Sequence, residues 1–283
     1  MALQHIQDKI LSAKIKDKLP TKYRYGQVAN RNYEGEIKQK GDTVRIISFA
    51  DITMQDYHKD QNMSAPTALS DSEMTLVINQ AKSFNVGVDA LDMATTKLNL
   101  MDVLANKASS AIANTVDTYL ASLYTQINAA NFIGEDANPI TLTKNNAYDY
   151  LVDMGTILDD NDVPAEGRYI IVPNWLHGLL LKDDRFTKSN QLSEQTLVNG
   201  VIGEVNGMMV LKSNNVPNVS NQKYKIIAGY TESMSLAVAI QDVKIYEPEL
   251  RFGSAMKGLV FFGGKVVRPN TMACLVANKS TTT

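Results

Sequence analysis

Residues 98–130 read LNLMDVLANKASSAIANTVDTYLASLYTQINAA, and neither proline nor glycine interrupts them. Apolar or small side chains recur there at steps of three and four residues, which is the repeat of one helix face. The members of that face are Met101, Ala105, Ala108, Ile112, Val116, Tyr119, Leu123 and Ile127. A helix of this length spans roughly 50 Å at about 1.5 Å per residue. Because that exceeds what one compact core requires, the pattern predicts a spine helix, with an ordinary long core helix as the alternative.

Length and composition limit the class of protein. The chain has 283 residues, 44% of them apolar and 20% charged, so one large domain or two modest ones with a substantial core are expected. The net charge is −2, whereas a general nucleic-acid-binding stripe or a polybasic membrane patch would normally make it positive. No window contains 18 uninterrupted apolar residues, so no transmembrane helix is predicted.

The first twenty residues have an amphipathic pattern with four lysines, and they lack the apolar core of a secretory signal. Their apolar positions are Ile6, Ile10, Leu11, Ile15 and Leu19. This pattern favours a helix that packs on its own or a neighbouring subunit over one that lies on a membrane. Pro20 ends the helix. Residues 21–41 are polar and aperiodic, which predicts an extended arm lying on a partner chain, since such an arm buries little by itself.

A long β-hairpin is predicted before the spine. Residues 43–49, TVRIISF, form its first strand after the turn pair Gly41-Asp42, and residues 73–81, EMTLVINQA, form its second. The polar connection between them exceeds the roughly 12 to 15 residues usual for loops in compact domains. We therefore expect it to extend to another subunit. Residues 83–97, SFNVGVDALDMATTK, are predicted to turn into the spine.

Alternating helices and strands are predicted after the spine. They are helix Asn146–Asn161, strand Arg168–Val172, short helix Trp175–Leu181, and strands Gly200–Val205, Met208–Lys212, Lys225–Ala228, Ser235–Ile240 and Val243–Tyr246. Asn206-Gly207 predicts a tight hairpin turn, because both central residues tolerate positive φ. The apolar, β-rich segment Gly258–Val276 is expected to kink at Gly263-Gly264 and to return beside the spine.

No motif indicates catalysis or metal binding. His5, His58 and His177 are far apart, and none has a His or Cys partner at metal-ligand spacing. In the acidic run 159–162 the calcium-loop pattern fails, because its sixth position is Pro164 rather than glycine. The single Cys274 excludes an intrachain disulfide and a multi-cysteine zinc site. Because no general base lies near it in sequence, it is predicted to be a small buried apolar residue.

The glycines of residues 200–207, GVIGEVNG, lack the Lys-Ser/Thr of a phosphate loop and favour a hairpin. We therefore predict no catalytic, cofactor-binding or metal site, and no enzyme.

Three stretches carry a resemblance to a known family. They are GDTVRI (41–46), RYIIVPNWLHGLLLKDDRF (168–186) and IGEVNGMMVLKSNNVP (202–217). The first stretch opens the hairpin in a chain whose segments follow in the order arm, hairpin, spine helix and α/β unit. The chain resembles the major capsid (coat) proteins of tailed bacteriophages, which have the Hong Kong 97-like fold, over essentially its full length. The second stretch is similar to their strand ending in Val-Pro before a short helix. The third is similar to their Gly-x-x-x-Gly hairpin with a Val-Pro close.

The resemblance implies an α+β fold of four parts. Residues 1–35 form an N-terminal arm and residues 36–82 an extended loop hairpin. Residues 83–139 and 256–283 form a peripheral domain with the spine helix, and residues 140–255 an α/β axial domain. It also implies that the polar side of the spine faces the capsid lumen or a neighbouring subunit. The residues of that side are Asp102, Asn106, Asn114, Asp117 and Asn128.

The resemblance further implies a virion protein, assembled in the host cytoplasm, whose copies form pentamers and hexamers of an icosahedral head shell around phage double-stranded DNA. Its implied partners are further copies of itself, a scaffolding protein, the portal and decoration proteins, with packaged DNA contacted non-specifically and no membrane. Some relatives form Lys–Asn crosslinks beside a glutamate, but the resemblance assigns those three groups to no positions of this sequence, and the crosslinking chemistry is not carried over. An encapsulin-like compartment shell and an unrecognised α/β enzyme remain alternatives.

Overall fold

The computed structural model of the protein describes residues 13–15, 17–19, 22–32, 39–49, 59, 71–89, 100–183, 201–249 and 252–280. The helices there are α1 (Tyr25–Val28), α2 (Leu100–Ser122), α3 (Ala147–Asp160) and α4 (Asn174–Leu180). The strands are β1 (Thr43–Phe49), β2 (Asp71–Val77), β3 (Gln80–Asp89), β4 (Phe132–Ile133), β5 (Ile140–Leu142), β6 (Arg168–Val172), β7 (Val201–Val205), β8 (Met208–Lys212), β9 (Tyr224–Tyr230), β10 (Met234–Tyr246), β11 (Gly253–Val266) and β12 (Met272–Lys279). Short 3₁₀ turns occupy Leu123–Gln126, Ala129–Asn131 and Pro269–Thr271.

The spine helix is confirmed as α2, although it is shorter than predicted. Its 23 residues span about 35 Å at about 1.5 Å per residue, and a 3₁₀ turn follows directly. The extension to residue 130 is wrong, because Ile127 has an extended backbone with ψ 146°. Tertiary contacts fix the chain where it leaves the spine helix. The backbone N–H of Asn128 donates to Pro269 O (3.3 Å), and its side-chain amide donates to Asn270 Oδ1 (2.7 Å). The predicted apolar face is buried at Ala105, Ala108, Ile112, Val116, Leu123 and Ile127.

A mixed seven-stranded sheet forms the centre of the α/β unit. Its order is β4-β12-β9-β6-β8-β7, and β5 also pairs with β12. Every residue of β6 is buried, as its continuous apolar sequence predicts for a central strand. The predicted helices 146–161 and 175–181 are found within one residue of their expected ends, as α3 and α4. The turn Asn206-Gly207 joins β7 to β8, with φ of 47° and 71°.

The predicted hairpin is confirmed, with β1 antiparallel to β2 from Thr43↔Val77 to Phe49↔Asp71. Its second strand ends earlier than expected, because Ile78 closes the hairpin base. Its N–H donates to Asp42 O (3.0 Å), and its carbonyl accepts from Gly41 N (3.0 Å). The polar connection of the hairpin lies outside the described residues, apart from residue 59.

A three-stranded sheet, β10-β11-β3, lies against the spine. The predicted turn at residues 83–97 is wrong in its first part, because β3 pairs with β11 from Gln80↔Phe262 to Asp89↔Gly253. The two strands predicted within residues 235–246 form the single strand β10, with a register shift between Gln241 and Lys244. Both differences arise from long-range pairing with β11, which supplies backbone partners that no local pattern records.

The C-terminal segment divides between the two sheets. β11 lies beside the spine as expected, whereas β12 pairs antiparallel with β9 from Met272↔Gly229 to Ala277↔Tyr224. The last strand therefore lies in the sheet of the α/β unit, although the sequence grouped residues 256–283 with the spine. The chain crosses over at Pro269, the first residue of a 3₁₀ turn.

Gly263 and Gly264 form a close-packed crossing rather than the predicted kink. β11 is continuous through both, and successive residues of a strand face opposite sides. A Cβ on Gly263 would lie 2.3 Å from Val77 O at the hairpin base. A Cβ on Gly264 would lie 2.8 Å from Cδ2 of Leu120 in the spine. The missing side chains therefore let the hairpin and the spine approach the same strand from its two sides.

We predict that Gly263→Ala lowers the unfolding free energy by about 1–3 kcal/mol, because the new methyl group overlaps a backbone oxygen that cannot move away freely. Gly87→Ala in β3 of the same sheet is the matched control. Its added Cβ meets only Ala255 Cβ at 3.7 Å, an ordinary contact. Urea unfolding of the two variants measures the difference. Equal stability of both would contradict the close packing at Gly263.

Candidate assembly surfaces

The structure brings no predicted histidine into a site. His5 and His58 lie outside the described residues. His177 is half-buried on α4, where burial, and next the charge of Lys212, lower the pKa of its imidazole. Within the described ranges, no group of three His, Cys, Asp or Glu side chains is arranged to hold a metal ion. In the same part of the chain, no helix is both long and apolar enough to cross a membrane.

The acidic run at the end of α3 serves a structural ion pair. Arg168 is 6% exposed, and its Nη1 donates to Asp159 Oδ1 at 2.5 Å. Its other nitrogens donate to the carbonyls of Pro164 (2.9 Å) and Val163. A planar guanidinium can make these three contacts at once. Asp159, the first carboxylate of the run, therefore forms an ion pair with Arg168, and the contacts of Arg168 stabilise the turn between α3 and β6.

Cys274 is fully buried in β12, as predicted. Burial is the main cause that raises the pKa of its thiol to about 12, and the nearby charge of Lys225 opposes this rise. Lys225 is itself buried, forms an ion pair with Asp136, and lies 5.7 Å from the ring of Tyr124. Because the reactive form of cysteine is the thiolate, the structure gives Cys274 a packing role.

We predict that Cys274 resists alkylation in the folded protein and reacts fully in denaturant. Iodoacetamide labelling followed by mass spectrometry checks this. A surface control is Val219→Cys, because Val219 is 59% exposed and its replacement should react in the native state. Rapid native labelling of Cys274 would contradict its burial.

The N-terminal segment packs on the spine of its own chain. Ile15 is 0% and Leu19 3% exposed. The lysines of the same segment bind the polar side of the spine, with Lys14 Nζ 2.7 Å from Asp102 Oδ1 and Lys18 Nζ 2.5 Å from Asn106 Oδ1. Of the two packing partners left open by the sequence, the structure shows the protein's own helix. Asp102 and Asn106 on the spine's polar side therefore bind lysines of their own chain, although both pairs remain accessible to solvent.

The expected extended arm is wrong for residues 22–32, which enter the core of their own subunit. Tyr23 and Tyr25 are completely buried, and α1 begins at Tyr25. At the far end of this stretch, Asn30 N donates to Met234 O and Leu236 N donates to Asn30 O, both at 2.8 Å. The segment thus adds a short parallel bridge to the free edge of β10. The two tyrosines were the available sequence signal, because such large apolar rings favour burial.

Asp117 holds this segment in place. The carboxylate is 2% exposed, and it accepts hydrogen bonds from Arg24 N at Oδ2 (2.7 Å) and from Gly26 N at Oδ1 (3.0 Å). These donors lie at the start of α1, where backbone N–H groups have no partner within the helix. The prediction that Asp117 faces the lumen or a neighbour is therefore wrong. Burial is the main cause that raises its carboxyl pKa to about 6, and the backbone hydrogen bonds oppose this rise.

We predict that acidification stabilises the wild-type protein relative to Asp117→Asn. The carboxyl pKa is about 6 in the folded state and ordinarily 3.8, so the folded state binds the proton more tightly. This contribution is complete below about pH 3.8 and is lost as the pH rises through about 6. It amounts to about 3 kcal/mol at most, since one pKa unit corresponds to about 1.4 kcal/mol. Urea unfolding from about pH 4 to 7.5 measures it.

Asp102→Asn is the control for this pH series. Asp102 lies on the same helix, and a hydrogen bond from Lys14 is the main cause that lowers its pKa. Its contribution is present above the unfolded pKa and is lost as the pH falls, which is the opposite sign. A wild-type advantage over Asp117→Asn that shrinks on acidification would contradict the assignment of Asp117.

The hairpin is anchored at its base by a second, smaller core. Its buried members are Val44, Ile46, Leu76, Ile78, Ala237 and Phe261. Polar contacts support the same base, since Lys265 Nζ donates to Thr75 O (3.2 Å) and the hydroxyl of Tyr119 donates to Asn79 Oδ1 (3.2 Å). The hairpin is thus joined to the sheet face opposite the spine, and its strands run outward from there.

Two cavities flank β3. The first, of about 100 Å³, lies between the sheet and the spine, and Phe84, Ala108, Ala111, Ile112, Val260 and Phe262 are among its lining residues. The second, of about 430 Å³, lies on the opposite face of the sheet, where Lys257 lies 4.7 Å from the ring of Tyr246. The Tyr246 hydroxyl donates to Asn85 Oδ1 at 3.0 Å. The first cavity is therefore mainly apolar, with Lys82, Ser83 and Thr115 also in its lining, whereas two lysines, Lys244 and Lys257, line the second.

Comparison with known proteins gives one family match and several matches in fold. A sequence profile described as "Phage capsid protein" matches residues 73–275, whereas the curated proteins contain no match. The capsid of Ralstonia phage GP4 superposes with a TM-score of 0.71 at 12% identity, over 90% of this chain and 88% of that one. A chain of Mycobacterium phage Che8 gives 0.67 at 22% identity, over 89% and 90%. A virus-like particle from Pyrococcus furiosus gives 0.57 at 14% identity, over 94% and 98%.

Proposed function

Since this chain belongs to the phage capsid protein family and is a shell-forming capsid protein, we propose that its copies assemble into pentamers and hexamers of an icosahedral head. The head encloses phage double-stranded DNA. The family match over residues 73–275 carries the proposal. Heterologous contacts between identical subunits close into rings when the rotation between neighbours allows it, and rings of five and six copies tile such a shell.

The hairpin supports an overlap between neighbouring subunits. Its base is fastened to its own chain by the second core, and β1 and β2 each extend for seven residues from there. We propose that residues 36–82 form an extended loop that lies on the next subunit. A neighbour that buries a long loop offsets the conformational entropy that the loop loses when it takes one conformation.

The remaining parts have distinct proposed roles. We propose that residues 83–139 and 256–283 form the peripheral domain, whose last strand β12 reaches into the sheet of the α/β unit. Residues 140–255 then form the axial domain at the centre of each capsomer. Residues 1–35 form the N-terminal arm. The pairing of β12 with β9 joins the two domains through the continuous backbone of the last strand.

The net charge of −2 supports non-specific contact with packaged DNA. A strongly basic shell would bind the DNA phosphate backbone tightly, whereas a near-neutral shell encloses the DNA and binds it only weakly. We propose that assembly takes place in the host cytoplasm with a scaffolding protein and the portal, and that decoration proteins bind the finished shell. The mature protein then resides in the virion.

A compartment shell that encloses protein cargo is the second candidate. Its support is that the fold is shared with a chain described as a virus-like particle from Pyrococcus furiosus rather than as a phage capsid, over 94% of this chain and 98% of that one. The contents of the particle separate the two functions, since only a phage head contains nuclease-protected genomic DNA.

We predict that the purified protein, alone or with its scaffold, forms rings or particles tens of nanometres across. Negative-stain electron microscopy detects them, and nuclease treatment of particles from infected cells tests for protected DNA. A stable monomer under all assembly conditions would refute the shell. Particles that contain protein cargo and no DNA would favour the compartment.

We predict that deleting residues 51–70 abolishes assembly while the α/β unit stays folded, because the deletion shortens the hairpin beyond its anchored base. Circular dichroism and the melting temperature report on the fold, and electron microscopy reports on assembly. Normal particles from this variant would show that the hairpin does not overlap a neighbour.

A further inference from the structure

The tip of the β10–β11 hairpin carries a large apolar side chain in solvent. Phe252 is 90% exposed, the highest value among the exposed large apolar residues of the described chain. It lies between Tyr246, where β10 ends, and Gly253, where β11 begins. Exposed single apolar residues are common, but a fully exposed phenyl ring at the end of a long hairpin has the form of an interface anchor.

The apolar groove between the sheet and the spine provides a matching recess. Its volume is about 100 Å³, and its walls include two phenylalanines together with Ala108, Ala111 and Ile112. A closed apolar cavity of about 150 Å³ binds a benzene ring. A groove of about 100 Å³ that is open on one side therefore accepts most of a phenyl ring, with one edge of the ring left at the mouth.

Charges of opposite sign lie at the groove and on the segment before Phe252, where Arg251 is the one basic residue among residues 247–251. Lys82 lines the groove, and Lys107 is exposed on the spine next to Ala108. The tip presents the exposed carboxylates of Glu247 and Glu249. Among the described residues, none of these four side chains has an ion-pair partner within its own chain. Rim charges of opposite sign guide two surfaces together and set their register.

A subunit cannot fill its own groove with Phe252. Val260 of the groove lies on β11, the strand that starts directly after Phe252. Eight residues of extended strand separate the two by about 26 Å at about 3.3 Å per residue. Because a strand cannot fold back on itself, only another copy of the chain can supply the ring. We propose that Phe252 of one subunit inserts into the groove beside Ala111 of a neighbouring subunit, with Glu247 and Glu249 facing Lys82 and Lys107.

This contact rests on the proposed shell, and it is heterologous, because the tip and the groove are different surfaces of the same subunit. Phe252→Ser should raise the protein concentration needed for assembly at least about tenfold, as expected for loss of an aromatic anchor. Ala111→Phe should have the same effect, since its ring fills the groove. Ser110→Phe is the matched control: it adds the same ring one residue away, outside the groove lining, and should assemble normally.

Melting temperatures within about 2 °C of wild type establish that each variant is folded. Assembly of Phe252→Ser at the wild-type concentration overturns the proposal. Normal assembly of Ala111→Phe, when Phe252→Ser fails, also overturns it, because the ring then docks elsewhere. A wild-type protein that forms no particles refutes the proposed function together with this contact, whereas normal particles from both variants refute the contact alone.

Crosslinking provides an independent measurement in particles. Phe252→Cys combined with Ala111→Cys should give disulfide-linked oligomers under mild oxidation, and the buried Cys274 does not interfere. Phe252→Cys combined with Val219→Cys is the control pair. Val219 is exposed and lies between β8 and β9 of the seven-stranded sheet, outside the groove. Oligomers in the first pair only support the contact. Equal yields, or none from the first pair in intact particles, overturn it.

Discussion

The absence of side chains at Gly263 and Gly264 is the constraint on which the rest of this structure depends. One strand, β11, meets the hairpin base on one face and the spine on the other. Phe261 and Phe262, just before the glycines, project into the two separate cores on those faces. A side chain at either glycine would force the packed layers to shift apart, so their close spacing here depends on both glycines.

The buried carboxylate of Asp117 makes a second connection, between the N-terminal segment and the spine. It satisfies backbone N–H groups at the start of α1, which would otherwise be buried without partners. Burying a carboxylate is costly unless such donors surround it. Residues 22–32 therefore add to the subunit's own core, where Tyr23 and Tyr25 are completely buried.

The packing at Gly263 and Gly264 and the hydrogen bonds of Asp117 separate a rigid core from the elements that extend beyond it. The seven-stranded sheet and the spine bury most of the apolar residues in one continuous core. The hairpin strands, the edge strand β3 and the β10–β11 tip extend from it. A capsid subunit needs this combination, because its neighbours must find a rigid framework to bind and extended elements to overlap.

Local patterns predicted the spine, the buried strand β6, the first hairpin and the Asn206-Gly207 turn, since periodicity and turn chemistry act within a few residues. The family resemblance was readable for the same reason, because it depends on the order of these elements. The resemblance placed Asp117 on a face turned to the lumen or a neighbour, whereas the structure buries it. The other wrong predictions concern β3, the arm, the last residues of the spine and the kink at Gly263-Gly264. Each of these takes its backbone partners or its burial from segments far away in the chain. A polar arm and a polar helix position look exposed in sequence, and only the folded chain places one against the other.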